Sequence, residues 1–361
     1  MTAVEEVPGG LNVPALLESS RIVVCCGSGG VGKTTTAAAL GVRAARMGRR
    51  VQVMTIDPAR RLAQAMGLDT LDFEPQAVPL DAPGSLSAMM LDSRRALDRL
   101  VAQHAPDARV REAIFANGYY QQLAESLGGS RELVAMERVL EVVRAGDHDL
   151  LIVDTPPAHH ALDFLDAPRR IVGLLDGSMT SALMRPYGMA ARLQFNLFRR
   201  SSSAMLHLLE RLTGVRVLAD LSDFLLAFSG LFDGFRERSH QVQALMREPD
   251  SRFLLVCSPE PASLAQVDQF RKRLHDEGLA VAGVLANRVS PDPGVRPAEL
   301  GAADLQQLDG LGDAAEDATP LSSRVLAALE AAAASAAADR ASLEVLERSG
   351  LPLHRVEAFD H

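Results

Sequence analysis

Short apolar runs alternate with segments of helical periodicity along the first part of the chain. The valine-rich run at 21–26 is bounded by glycines, which is typical of a strand buried in a parallel sheet. Residues 33–48 follow with helical spacing, and 50–57 forms a second apolar run. A strand, a helix and a strand within about 35 residues predict a βαβ unit with a right-handed crossover.

The same alternation returns later in the chain. Apolar runs at 150–154, 252–258 and 281–287 predict three more strands, and 261–278 has the apolar spacing of a helix that ends at a glycine. We therefore expect an α/β fold, a doubly wound and mainly parallel sheet between two layers of helices. We interpret residues 1–361 as a single domain of this kind.

Two long segments lie outside this alternation and are interpreted as helical insertions, at about 92–146 and 168–247. The second contains an apolar stripe at helical spacing, formed by Val217, Leu221, Phe224, Phe228, Leu231 and Phe235. Such a stripe either packs in a core or offers a surface to another apolar helix. Residues 290–361 are predicted to form a linker and an alanine-rich helix.

Composition and charge argue against several classes of protein, among them nucleic-acid-binding and membrane-spanning proteins. The net charge of -9, the aromatic content of 4% and the absence of Trp argue against a nucleic-acid partner. The sequence has no signal-peptide pattern and no uncharged apolar run of the roughly 18–20 residues that span a membrane. Its three cysteines include no C-x-x-C pair, so we expect a reduced, cytoplasmic protein without a paired-cysteine zinc site.

The stretch between the first strand and the first helix matches the phosphate-loop pattern G-x-x-x-x-G-K-[ST] through Gly27, Gly32, Lys33 and Thr34. Its glycines let backbone N–H groups point at phosphate oxygens, Lys33 supplies a charge, and the Thr34 hydroxyl suits Mg²⁺. The alternative is a glycine-rich turn that binds nothing. We predict an ATP- and Mg²⁺-binding P-loop NTPase whose nucleotide-contacting loop consists of Gly27, Ser28, Gly29, Gly30, Val31, Gly32, Lys33, Thr34 and Thr35.

Two carboxylates and one amide follow predicted strands, at the sheet edge where ligands bind in such folds. Asp57 could position the attacking water, or it could cap a helix that begins at Pro58. Asp154 is typical of the acid that holds Mg²⁺ through water. The Asn287 amide could pair with adenine, although a lone Asn is usually a turn former.

Together these stretches resemble the arsenite-pump ATPase family, which includes the cytosolic ATPases that guide tail-anchored membrane proteins to their membrane. The resemblance covers about residues 20–290 and rests on the phosphate loop, 57-DPARRL-62, 154-DTPP-157 and Asn287, in the family's order. It is greatest to bacterial single-domain relatives of the targeting ATPase.

The resemblance implies a nucleotide-sandwich dimer that hydrolyses ATP. Lys33 and Asp57 would be the catalytic residues, Thr34, Asp57 and Asp154 would lie at the metal, and Asn287 would read adenine. The helical insertions would form an apolar groove for the transmembrane segment of a client protein.

The sequence departs from the family pattern at Ser28, where the family carries a signature lysine that reaches the partner's phosphates. Arg60 replaces a histidine of the first switch, and Asp163 replaces an arginine of the second. A charge supplied in trans to a phosphoryl-transfer site can be worth about 10³–10⁵ in rate. Candidates for the missing charge are Arg60, Arg61 and a lysine of a partner chain.

Several functions therefore stay open at the level of sequence. The chain could be a dimeric ATPase with a hydrophobic client, an arsenite-stimulated pump subunit, or a weakly hydrolysing scaffold paired with a paralogous ATPase that carries the lysine. A partitioning ATPase is a fourth possibility. The cysteines lie on predicted core strands, which argues against the pump subunit.

Overall fold

In the computed structural model, the described residues form one continuous sheet with helices on both faces. The structure describes residues 10–57, 59, 61–118, 120, 121, 131–156, 237, 238, 240–311 and 320–359. Most of the predicted insertion at 168–247, including its apolar stripe, therefore lies outside the described residues, as do Arg60 and Asp163.

The described residues contain eight strands, all in one sheet. They are β1 (Ile22–Gly27), β2 (Arg50–Thr55), β3 (Gln76–Ala77), β4 (Ser85–Met90), β5 (Leu150–Asp154), β6 (Ser251–Cys257), β7 (Val281–Val289) and β8 (Leu353–Glu357). The spatial order is β3-β4-β2-β5-β1-β6-β7-β8, and every pair is parallel except β3 with β4. The predicted doubly wound, mainly parallel sheet is confirmed.

Helices cover both faces of this sheet. Those in the described residues include α1 (Val13–Ser19), α2 (Lys33–Arg46), α3 (Arg61–Ala65), α4 (Ser93–His104), α5 (Ala108–Ala116), α6 (Arg131–Ala145), α7 (Pro261–Asp276), α8 (Ala302–Leu311) and α9 (Leu321–Arg348). Strand β1 shows how the layers form, because Val23 and Cys25 pack with α1, α2 and α3 while Val24 packs on the other face with α4, α6 and α7. The result is a three-layer α/β/α architecture.

Helix α6 precedes β5 and buries Val134, Val139 and Val143 in the core on the sheet. It therefore packs as a helix that connects two strands of the sheet, within the segment 92–146 that we interpreted as an insertion. The division of the chain into one domain with two insertions stays a prediction.

Three strands were absent from the sequence interpretation: β3, β4 and β8. The serines of β4 interrupt its apolar pattern, and β8 is a short edge strand with charged residues at Arg355 and Glu357. Charged edge strands are a common way to prevent further pairing, and they carry little hydrophobic signal. Strand β7 also continues two residues beyond its predicted end, to Val289.

Glycine at position 41 allows α2 to lie close to the sheet. A Cβ there would be 2.7 Å from Val53 Cγ2 and 3.2 Å from Leu86 Cδ1. We expect Gly41→Val to lower the free energy of unfolding by about 1–3 kcal/mol, because the core is already packed at that contact. Urea denaturation would measure the change. Gly118→Val is the matched control, since a Cβ at that helical position meets nothing within 4 Å, and an equal loss in both variants would contradict the packing argument.

Candidate functional site

The phosphate loop turns tightly between β1 and α2. A Cβ on Gly27 would lie 2.0 Å from the Val256 carbonyl oxygen, and Gly32 has φ 93° with Asn287 Nδ2 2.2 Å from its virtual Cβ. Both positions therefore need glycine. Gly32 is also the N-cap of α2 and has no side chain to accept from the first helical N–H groups. Those N–H groups and the positive end of the helix are thus available to an anion.

Lys33 is the first residue of α2 and is only 7% exposed. Its Nζ donates a hydrogen bond of 2.8 Å to the Ser28 carbonyl, which holds the ammonium inside the curve of the loop. Burial lowers the pKa of Lys33, and the nearby Asp154 carboxylate opposes that shift. The loop thus presents a partly desolvated cation, whose attraction to a phosphate is stronger than that of an exposed lysine.

Thr34 and Asp154 meet directly at the ends of α2 and β5. The Thr34 hydroxyl donates to Asp154 Oδ2 at 2.7 Å, and the Thr55 hydroxyl donates to the same oxygen at 2.9 Å. Asp154 Oδ1 is buried and has no hydrogen-bond partner among the described residues. Burial is also the largest cause of the raised pKa of this carboxyl. A buried carboxylate oxygen without a partner is costly, and a hydrated cation would satisfy it.

Sequence reasoning overlooked Thr55. Its hydroxyl links the Asp154 carboxylate to the backbone of Asp57, because it donates to Asp154 Oδ2 and accepts from the backbone N–H of Asp57 at 3.2 Å. The available signal was its place at the end of β2, two residues before Asp57.

Asp57 lines the same cleft, with its side chain 19% exposed. One carboxylate oxygen accepts from the Ala59 N–H at 3.1 Å, and the other lies 3.6 Å from Arg61 Nη1. The first contact is a local turn of the kind expected for a strand-end Asp. It leaves the second oxygen facing an exposed arginine, so one carboxylate can hold the turn and still accept a proton or orient a water molecule. The catalytic role of Asp57 stays a prediction.

A cleft of about 890 Å³ runs from the phosphate loop along the outer side of α2. Asp57 is its one carboxylate among the described lining residues, whereas the cationic side chains are Lys33, Arg43, Arg46, Arg61 and Arg288. A lining of this charge attracts a polyanion even though the whole chain carries -9.

Asn287 lies against the phosphate loop. Its Nδ2 donates to the Val31 carbonyl at 2.8 Å, which ties β7 to the loop. The side-chain oxygen is not used by that bond. The predicted contact between this amide and adenine is not tested by the contact and stays a prediction.

Ser28 is held from the opposite side by the start of α7. Its Oγ lies 3.0 Å from Ser263 Oγ, and the buried Ser258 N–H donates to the same Ser263 oxygen at 3.1 Å. Sequence reasoning missed Ser263, because the contact joins residues 235 positions apart. The pair fixes one side of the loop at the position where the family carries its lysine.

We expect Ser263→Ala to lower the free energy of unfolding by about 1–3 kcal/mol, since it removes the acceptor of a buried N–H. Thermal unfolding followed by circular dichroism would measure the effect. Ser323→Ala, at an exposed position of α9, is the matched control. A Ser263→Ala variant as stable as the control would show that the Ser258 N–H finds another acceptor.

All three cysteines are free thiols buried on β1 and β6. Burial raises the pKa of Cys26 and of Cys257 to about 12, and it raises that of Cys25 as well. We expect Ellman's reagent to find no fast-reacting thiol in the native protein and three thiols after denaturation, because the thiolate is the reactive form. Rapid labelling of the native protein would contradict the assigned burial.

Two kinds of feature are absent from the described part of the chain. It contains no cluster of three or more His, Cys, Asp and Glu side chains that could hold a metal ion. None of its helices combines the length and the apolar character needed to cross a membrane.

Comparisons with known proteins identify the family of this chain. A family model described as anion-transporting ATPase matches residues 20–302. The ATPase GET3 of Malassezia globosa is 25% identical over 279 residues, which cover 77% of this chain and 75% of that protein. The ATPase get3 of Neurospora crassa is 27% identical over 76% of this chain and 75% of its own length. The ATPase get3 of Schizosaccharomyces pombe is 25% identical over 80% and 79%. The resemblance drawn from the motifs is thus confirmed, and the chain belongs to the anion-transporting ATPase family.

Proposed function

We propose that this protein binds ATP with Mg²⁺ in the cleft beside α2 and hydrolyses it. The observation that carries the proposal is the Thr34–Asp154–Thr55 cluster, in which one buried carboxylate oxygen has no partner among the described residues. The cluster lies beside Lys33 and the N-terminus of α2, so a cation site and a phosphate site adjoin.

The residues fit Mg²⁺ well. Asp154 would hold the ion through water, and the Thr34 oxygen retains lone pairs for the ion while its hydrogen bonds Asp154. The backbone of Asp57 is bonded to the cluster through Thr55, and the Asp57 carboxylate would lie near the ion and orient water beside it. When bound, Mg-ATP supplies the transferable phosphoryl group together with part of the charge neutralisation that its transfer requires.

Different residues of the chain would bind the phosphates and position the attacking water. Lys33 would leave the Ser28 carbonyl and bind phosphate oxygens, because a phosphate is a stronger acceptor than a neutral carbonyl. The N–H groups of Gly30, Gly32 and Lys33 would orient the same oxygens. Asp57 would position the attacking water and accept its proton, and Arg61 would steady that carboxylate.

We further propose that the protein works as a dimer and couples its nucleotide state to the binding of a hydrophobic membrane-protein client. Support comes from family membership, from the relatives named ATPase GET3 and from the apolar stripe of residues 217–235. That stripe lies outside the described residues. Nucleotide-dependent opening of an apolar surface would let hydrolysis capture or release the client.

A weakly hydrolysing scaffold, or one half of a heterodimer, is the second candidate. The contact between Ser28 and Ser263 favours it, because it places a neutral, engaged side chain where the family has a mobile charge. The arsenite-stimulated pump subunit finds less support, since all three thiols are buried and their pKa values are raised.

The test uses the full chain with Asp57→Asn to hold ATP without turnover. A photoreactive residue at Phe228 of the apolar stripe would report binding of a purified tail-anchored membrane protein, and size-exclusion chromatography would report the dimer. The same probe at Phe359, which is 76% exposed, is the control. We expect crosslinking at position 228 that differs between ATP and ADP. Equal crosslinking at both positions in every nucleotide state would contradict the client proposal, and a monomer with or without ATP would contradict the dimer.

A further inference from the structure

Arginines are the main candidates within this sequence for the charge that Ser28 lacks. The chain has two lysines, Lys33 and Lys272. Lys33 already belongs to the loop. Lys272 lies on the exposed face of α7, where its Nζ is 2.9 Å from Asp268 Oδ2. A homodimer partner would therefore bring only one lysine besides Lys33, and that lysine has an acidic neighbour on its own helix.

Four arginines line the cleft. They differ in their distance from the phosphate loop and in whether their side chains contact a carboxylate. Arg61 faces the Asp57 carboxylate at 3.6 Å. Arg43 and Arg46 lie in the last turn of α2, about 15–20 Å along the helix from Lys33 at 1.5 Å per residue. Arg288 lies on the strand that touches the phosphate loop, and its side chain has no ion pair or hydrogen bond with another described residue. Among the described arginines of the cleft, it is the one that lies near the loop and whose side chain has no partner among the described residues.

The backbone at Arg288 is unusual for a non-glycine residue. Its φ is 58°, in the left-handed region, and the β7–β8 register shifts between Ala286 and Val289. A β-bulge of this kind redirects side chains and is frequent beside active sites. Here two consecutive residues face the site, because Asn287 bonds the loop while Arg288 lines the cleft. Glycine would hold this conformation at lower cost, so the strain points to a use for the side chain.

We propose that Arg288 contacts the phosphate chain of the bound nucleotide and supplies a positive charge that Ser28 does not. This assignment rests on the proposed ATP-binding function and adds a residue to it. The guanidinium would form charge-assisted, two-point hydrogen bonds to phosphate oxygens from the β7 side of the cleft. The bond from Asn287 to Val31 would keep its backbone in register with the loop.

The test separates a phosphate contact from a contact with the base. ATP and inorganic tripolyphosphate, which has no base, would each be competed against a fluorescent ATP analogue on the purified chain. We expect Arg288→Gly to weaken both ligands by a similar factor, about 10- to 100-fold, because charged hydrogen bonds of this kind are lost. Arg288→Lys should recover part of the loss. Arg296→Ala, an exposed arginine in the following loop and outside the cleft lining, should change neither affinity.

A loss of stability would not explain weaker binding in Arg288→Gly, because glycine accepts the left-handed backbone. We expect this variant to melt no lower than the native chain. A weakened affinity for ATP with unchanged tripolyphosphate binding would overturn the assignment in favour of a base contact. Unchanged affinity for both ligands would overturn it outright while the proposed ATP binding stands. Failure of the native chain to bind ATP would overturn both.

Discussion

Lys33→Met is expected to weaken ATP binding by about 10- to 100-fold and to leave the stability of the nucleotide-free protein nearly unchanged. The lost contact is a hydrogen bond between a charged amine and a phosphate, which contributes about 1.5–3 kcal/mol. The methionine keeps most of the buried stem, and the native ammonium gains little in the free protein because burial lowers its pKa. Isothermal titration calorimetry with ATP would measure the affinity, and thermal melting would measure the stability.

Lys272→Met is the matched control for this experiment, since it removes the chain's other lysine from an exposed ion pair on α7. It should leave ATP affinity unchanged. A Lys33→Met variant that binds ATP as tightly as Lys272→Met would remove Lys33 from the site, and a large loss of stability in Lys33→Met would assign the side chain a structural role instead.

Asp57→Asn is expected to lower the ATP turnover number by about 10²–10⁴-fold while ATP affinity changes little. Asparagine keeps the side-chain oxygen that accepts from the Ala59 N–H, so the local turn should survive. It removes the negative charge that would accept a proton from water. The ion pair with Arg61 is also lost, but Arg61 is well exposed, and such pairs contribute about 0–1 kcal/mol.

Turnover would be measured by phosphate release at saturating Mg-ATP, and affinity by calorimetry on the same preparation. Asp69→Asn is the control, because Asp69 is an exposed acid shortly after α3. An Asp57→Asn variant that hydrolyses ATP at the native rate would remove Asp57 from the chemistry. A native protein with no measurable turnover would favour the weakly hydrolysing scaffold.

The sequence predicted those features whose signals are local. The β1–loop–α2 unit could be recognised because an apolar run, four glycines and a helical pattern are contiguous, and the structure has all three there. Asp154 was recognised for the same reason, as the residue that ends an apolar run. Its hydrogen bond from Thr34 follows because β1 lies next to β5, and α2 begins just beyond the carboxyl end of β1.

Features that depend on distant partners could not be predicted this way. Ser263 is an unremarkable serine at the start of a helix until the fold brings its hydroxyl to Ser28. Arg288 follows a predicted strand end, but the bulge that points it into the cleft arises from pairing between β7 and β8, and β8 itself has almost no apolar pattern. In both cases tertiary pairing decides what a side chain faces, and no local periodicity records it.

Binding of Mg-ATP at the cleft is the central claim, and a titration of the native chain with ATP in the presence and absence of Mg²⁺ tests it most directly. We expect one ATP to bind per chain, more tightly with Mg²⁺, and Mg-ATP at about 100 times its Kd to raise the free energy of unfolding by about 2.7 kcal/mol. In Asp154→Asn, we expect Mg²⁺ no longer to tighten ATP binding, so that the affinity for ATP in the presence of Mg²⁺ falls by about 10- to 100-fold. Absence of a binding heat and of any stabilisation by Mg-ATP in the native chain would contradict the claim.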